Sequence, residues 1–114
     1  MISDDMDEAL KKILSRLEAQ CVKREYCVSD IRAKAQKAVA AANGKSPVAG
    51  LQQPSASEAV DALVASLLKD GFVDDTRYAA AFAREKSSLT GWGPIKIRFA
   101  LRAKGLSDDD IAYV

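Results

Sequence analysis

Apolar side chains in this chain return every three or four residues, and no stretch alternates as a half-buried strand would. Leu10, Ile13, Leu14, Leu17 and Cys21 predict an amphipathic helix from residue 7 to about 24, with Asp5 and Glu8 as its N-terminal box. Ser29 is suited to cap a second helix running to about Ala42, where Asn43-Gly44 ends it. Ser55 and Glu58 form a capping box for a third, whose core face is Val60, Leu63, Val64, Leu67 and Leu68. Gly71 closes that helix in the left-handed conformation, and Phe72 folds back onto it as in a Schellman turn.

A fourth helix opens at Asp74-Asp75, where two carboxylates complement the helix dipole and one can cap free N–H groups. Tyr78, Phe82 and Leu89 share one side of it, and Arg77 and Arg84 the other. Gly91-Trp92-Gly93 separates it from a fifth helix that begins near Pro94 and ends at Gly105. Ser107, followed by Asp108, Asp109 and Asp110, starts a sixth of barely two turns, too short to stand without packing. Tyr26 precedes Ile31-Arg32 by the same five residues that separate Trp92 from Ile97-Arg98, a faint internal repeat. The expected fold is therefore all-α, with tandem three-helix repeats. Residues 1–57 hold the first two helices and a Pro/Gly/Ser linker at 43–57, residues 58–73 complete the first repeat, and 74–114 form the second.

With 48% hydrophobic and 29% charged residues, the composition is that of a globular domain. No apolar run reaches the roughly 18–20 residues of a membrane span, and acids follow Met1, so a cytoplasmic protein is expected. The chain has no histidine, which removes Ser-His and Cys-His catalysis. Cys21 and Cys27, spaced C-x5-C, match neither a zinc nor a redox motif and are expected as reduced, partly buried thiols. Phosphate-binding glycine patterns are absent, and Asp108-Asp109-Asp110 lacks the alternation of a calcium loop. A binding module without catalysis, metal or cofactor is the expectation.

The net charge of +1 conceals a segregation. Asp4, Asp5, Asp7 and Glu8 crowd the start, whereas residues 84–104 carry Arg84, Lys86, Lys96, Arg98, Arg102 and Lys104 against Glu85 alone. Such a segment either seeks an anionic partner or is a solvated helix face. On the fifth helix Ile97 and Leu101 form one apolar pair, and Ile95 and Phe99 another about 160° away at about 100° per residue. Arg98 and Arg102 lie between them. Either both stripes are buried, one within its repeat and one against the neighbour, or Phe99 is exposed beside two arginines as a contact patch. Trp92, between two glycines, reads as a core plug with its indole N–H bonded near the turn.

The run Leu67 to Ala79, containing Asp74-Asp75-Thr76-Arg77-Tyr78, resembles a signature of the RecX regulatory proteins. So does Gly91-Trp92-Gly93-Pro94 with the following Ile97-Arg98, Leu101 and Lys104-Gly105. The two motifs occur in order and cover about residues 60–111; Ser29-Asp30-Ile31-Arg32 resembles the first repeat more loosely. The resemblance implies an elongated, curved stack of three-helix units, shortened here to two repeats with the last helix of the second incomplete. It also implies a monomer that binds the RecA recombinase filament, suppressing ATP hydrolysis, strand exchange and co-protease activity in DNA repair and the SOS response. Single- or double-stranded DNA is a further implied partner. The residues expected to make contact are Lys96, Arg98, Arg102 and Lys104, with Arg77, Arg84 and Phe99. The competing reading is a helical DNA-binding module that meets a duplex through its fifth helix.

Overall fold

A computed structural model describes residues 8–45, 56–112 and 114. Five helices account for most of them: α1 (Glu8–Lys23), α2 (Val28–Lys45), α3 (Ala56–Lys69), α4 (Asp75–Thr90) and α5 (Pro94–Ala103). There is no strand among the described residues. The molecule measures 52 × 25 × 23 Å, and its radius of gyration of 16.3 Å exceeds the roughly 13 Å of a compact chain of this length. It is an elongated stack.

Two separate cores explain the elongation. In the first, Leu10, Ile13 and Leu17 of α1 meet Ile31, Ala35 and Val39 of α2 and Val60, Leu63, Val64 and Leu67 of α3. Val73 closes this unit from below α3. The second core is smaller. Tyr78 and Ala79 of α4 pack on Ile97 and Leu101 of α5, and Leu106 and Ile111 follow from the chain beyond. Cys27, from the turn between α1 and α2, is fully buried in this second core. One residue of the first unit thus belongs to the interior of the next.

The helix ends follow their sequence signals closely at the glycines. At Gly71 the backbone is left-handed (φ 78°), Phe72 N–H donates to the Leu67 carbonyl and Gly71 N–H to the Leu68 carbonyl. Gly105 (φ 90°) repeats the arrangement, with Leu106 N–H donating to Leu101 and Gly105 N–H to Arg102. A Cβ at Gly71 would meet nothing within 4 Å, so only backbone conformation opposes a side chain there. Gly71→Ala is expected to lower the unfolding free energy by about 1–2 kcal/mol in urea denaturation. A neutral result would contradict the left-handed assignment.

Several expectations need correction. The second helix starts at Val28 rather than after a Ser29 cap: Cys27 O accepts from Ile31 N–H, and Ser29 Oγ instead donates to the Lys104 carbonyl at 2.7 Å. The helix also runs through Asn43-Gly44 to Lys45, carried by the alanine-rich turns before them. Leu68 is 44% exposed, at the edge of the buried stripe of its helix, and Leu89 is 77% exposed as the penultimate residue of the fourth helix. Residues 108–112 form turns, with Ala112 N–H to Asp109 O and Val114 N–H to Ile111 O, in place of a sixth α-helix. A box still opens that segment, since Ser107 N–H donates to Asp110 Oδ2 and Asp110 N–H to Ser107 Oγ. The expected Asp5 and Ser55 caps, and residues 46–55 of the linker, lie outside the described residues.

Candidate functional site

The turn into α5 is built from its glycines. Gly91 is left-handed (φ 69°), and its N–H, that of Trp92 and the Thr90 hydroxyl all donate to the Lys86 carbonyl. Gly93 is extended at the N-cap and Pro94 occupies the first turn of α5, where its missing N–H costs nothing. Between them the half-buried Trp92 lies edge-on to Phe82 at 6.3 Å, and Phe82 in turn lies 5.9 Å from Tyr78. Lys96 Nζ stands 4.5 Å from the Trp92 ring centroid and Lys86 Nζ 5.1 Å. Trp92 is therefore partly a core residue and partly a platform for two cations. Its indole N–H makes no hydrogen bond among the described residues, contrary to expectation.

The two stripes of α5 have different fates. Ile97 and Leu101 are buried in the second core. Ile95 and Phe99 are 82% and 75% exposed, and with Gly93, Pro94 and the stem of Lys96 they line one shallow apolar depression. The second stripe is therefore not buried against the neighbouring unit, and Ile95 is exposed beside Phe99.

The basic residues expected at that patch fall into three groups. Arg77 and Lys104 face the first unit. Arg77 Nε lies 2.8 and 2.9 Å from the two oxygens of Glu25, while Nη1 and Nη2 donate to the Gly71 and Phe72 carbonyls. Lys104 Nζ is 3.2 and 3.3 Å from the Asp30 oxygens and 5.8 Å from the Tyr78 ring centroid. Burial alone would lower the Lys104 pKa, but the Asp30 hydrogen bond and the Tyr78 hydroxyl carry it above its ordinary value. Arg98 and Arg102 instead hold the chain after α5. Arg98 donates twice to the Val114 carbonyl, at 2.6 and 3.2 Å, and Arg102 Nε to Asp108 at 3.1 Å. Only Lys96, Arg84 and Phe99 remain: Lys96 and Phe99 flank the depression, and Arg84 is exposed on α4 with no ion pair among the described residues.

One structural role escaped the sequence reading. Asp75 Oδ1 accepts from Val28 N–H at 2.8 Å, capping α2 from a residue 47 positions away. Asp74 meanwhile caps α4 itself, accepting from Arg77 N–H. Burial raises the Asp75 pKa, the Val28 hydrogen bond opposes this, and Asp110, Asp74 and Asp30 add to the rise. No group of three or more His, Cys, Asp and Glu among the described residues is placed to hold a metal ion. No helix among them is long and apolar enough to cross a membrane.

Comparison with known proteins bears on the same region. A family model described as RecX, second three-helix domain, matches residues 74–114. The regulatory protein RecX of Xanthomonas axonopodis pv. citri is 37% identical over 70 residues, covering 61% of this chain and 40% of that protein. The regulatory protein RecX of Stenotrophomonas maltophilia (strain K279a) is 44% identical over 55 residues, 48% of this chain and 33% of the relative. The matched part thus spans about a third to two-fifths of the length of these curated relatives. No solved structure matches the chain.

Proposed function

We propose that this chain, whose residues 74–114 match the second three-helix domain of RecX, is a RecX-family regulator that binds the RecA recombinase filament. By contact alone it restrains ATP hydrolysis, strand exchange and co-protease activity, acting in DNA repair and the SOS response. The observation that carries the reading is the uncovered apolar face of α5. Ile95 and Phe99 stand on it almost free, beside Lys96, within the segment that matches the family. An exposed aromatic and aliphatic pair next to a cation is suited to a protein surface. Lys96, Phe99 and Arg84 are assigned to contact. Arg77 and Lys104 act through the seam between units, and Arg98 and Arg102 through the segment that follows α5.

A duplex read by α5 is the weaker alternative. Arg98 and Arg102 already have partners within the chain, which leaves Lys96 as the α5 cation without a hydrogen-bonded partner among the described residues. Phosphate binding there would fall steeply with salt and need no RecA.

The test is to add the protein to RecA-coated single-stranded DNA and follow ATP hydrolysis and filament length. The wild type should slow hydrolysis, and an Ile95→Ala/Phe99→Ala variant should lose most of that effect. Both side chains are exposed, so the variant's stability should stay within about 0.5 kcal/mol per substitution. A wild-type protein that alters neither hydrolysis nor filament length would overturn the reading.

A further inference from the structure

We propose that Lys86 and Lys96, held on the Trp92 ring, form a carboxylate-binding end to the apolar depression of α5. The occupant is a protein segment that carries an apolar side chain beside an aspartate or glutamate. The site extends the α5 contact proposed above and rests on it. Its two halves share one residue. The stem of Lys96 lines the depression with Pro94, Ile95 and Phe99, while its ammonium lies 4.5 Å from the Trp92 ring centroid. Lys86 Nζ reaches the same ring from α4, at 5.1 Å, and the Phe82 ring at 5.6 Å. The backbone of Lys86 is fixed beside the turn, because its carbonyl accepts from Gly91 N–H, Trp92 N–H and the Thr90 hydroxyl.

Neither lysine is paired with an acid among the described residues, not even with Glu85, the one acid between residues 84 and 104. Arg77, Arg98, Arg102 and Lys104 already bind oxygens of the chain itself. Positive charge without a partner therefore collects at one end of the apolar face. An aromatic ring attracts an ammonium but accepts no strong hydrogen bond, so the N–H donors of both lysines stay available. An incoming carboxylate meets donors whose side chains are already positioned, and less freedom is lost on binding. A second copy of the chain suits the site poorly, since face-to-face docking sets its lysines against these. A nucleic-acid strand suits it poorly too. Trp92 already contacts Phe82 and both ammoniums, and the depression offers a single ring, Phe99, beside aliphatic Ile95 and Pro94.

The experiment measures the affinity of the whole protein for RecA-coated oligothymidylate by co-sedimentation, and for the bare oligothymidylate by fluorescence anisotropy. Lys86→Gln/Lys96→Gln should weaken binding to the coated strand about tenfold or more, the loss expected when charge-assisted bonds are removed. Its behaviour towards the bare strand should match the wild type. Lys86→Arg/Lys96→Arg should keep most of the affinity. Neither lysine belongs to the second core, so both variants should retain the wild-type melt and the near-ultraviolet circular dichroism of Trp92, the chain's one tryptophan. If the glutamine pair binds the coated strand as the wild type does while Ile95→Ala/Phe99→Ala does not, this proposal is overturned and the α5 reading stands. An equal loss on the bare strand makes the lysines phosphate contacts and also overturns it. So does a loss that arginine fails to restore, or one that comes with an altered Trp92 signal, which makes the lysines props for the ring. A wild type without affinity for the coated strand removes the α5 reading and this proposal together.

Discussion

Replacing Leu101 by alanine is expected to lower the unfolding free energy by about 2–5 kcal/mol, the cost of deleting a buried leucine and leaving part of the space unfilled. Leu101 is fully buried, and its neighbours Tyr78, Ile97, Leu106 and Ile111 supply most of the second core. Its carbonyl also receives the Leu106 N–H that closes α5. So small a core has few alternative packings into which it can collapse. Since whole domains are stable by only about 5–15 kcal/mol, one truncation here removes a large share. Guanidinium denaturation followed by circular dichroism measures it, with Leu68→Ala, on a 44% exposed residue, as the milder comparison. A cost below about 1 kcal/mol at Leu101 would mean the second core is not closed around it.

The second large effect is expected at Asp75. Asp75→Ala deprives Val28 N–H of its acceptor at the start of α2, a loss of about 1–3 kcal/mol. Asp75→Asn keeps an oxygen in the same place and should remain within about 1 kcal/mol of wild type, since the charge itself interacts with helix N-termini only to that extent. The pH dependence has a definite sign. Because the folded-state pKa of Asp75 is raised, ionisation is harder in the folded protein than in the unfolded one. This group's contribution therefore becomes less favourable as pH rises from its unfolded pKa through the raised folded value. Relative to Asp75→Asn, the wild type should gain stability as the solution is acidified through that window. Thermal melts of both proteins across the acidic range read this directly; a difference that ran the other way, or an asparagine as damaging as the alanine, would refute the account.

Much of the helical order could be read from local pattern, because spacing and caps act within a few residues. The buried stripe of α3 and the turns at Gly71, Gly91 and Gly105 follow from such signals. What could not be read was decided across the chain. Ser29 has a good capping side chain, yet Val28 N–H is satisfied by Asp75 and the Ser29 hydroxyl by Lys104, 75 residues on. The cationic content of α5 was equally plain. Charge in sequence does not show which cations are already engaged, so Arg98 and Lys104 looked as available as Lys96. Period alone assigns Ile95–Phe99 to an apolar stripe; whether a neighbour covers it depends on packing between units.

The placement of Cys27 gives the two units a common fate. Its side chain lies inside the second core, although it sits on the turn that starts a helix of the first. Any opening that frees the α1–α2 turn withdraws this side chain from the second core and breaks the Asp75 and Lys104 contacts beside it. Fraying at one end can stay local, but opening at residues 25–30 is shared. That short turn is where the stack becomes one cooperative body rather than two beads on a string.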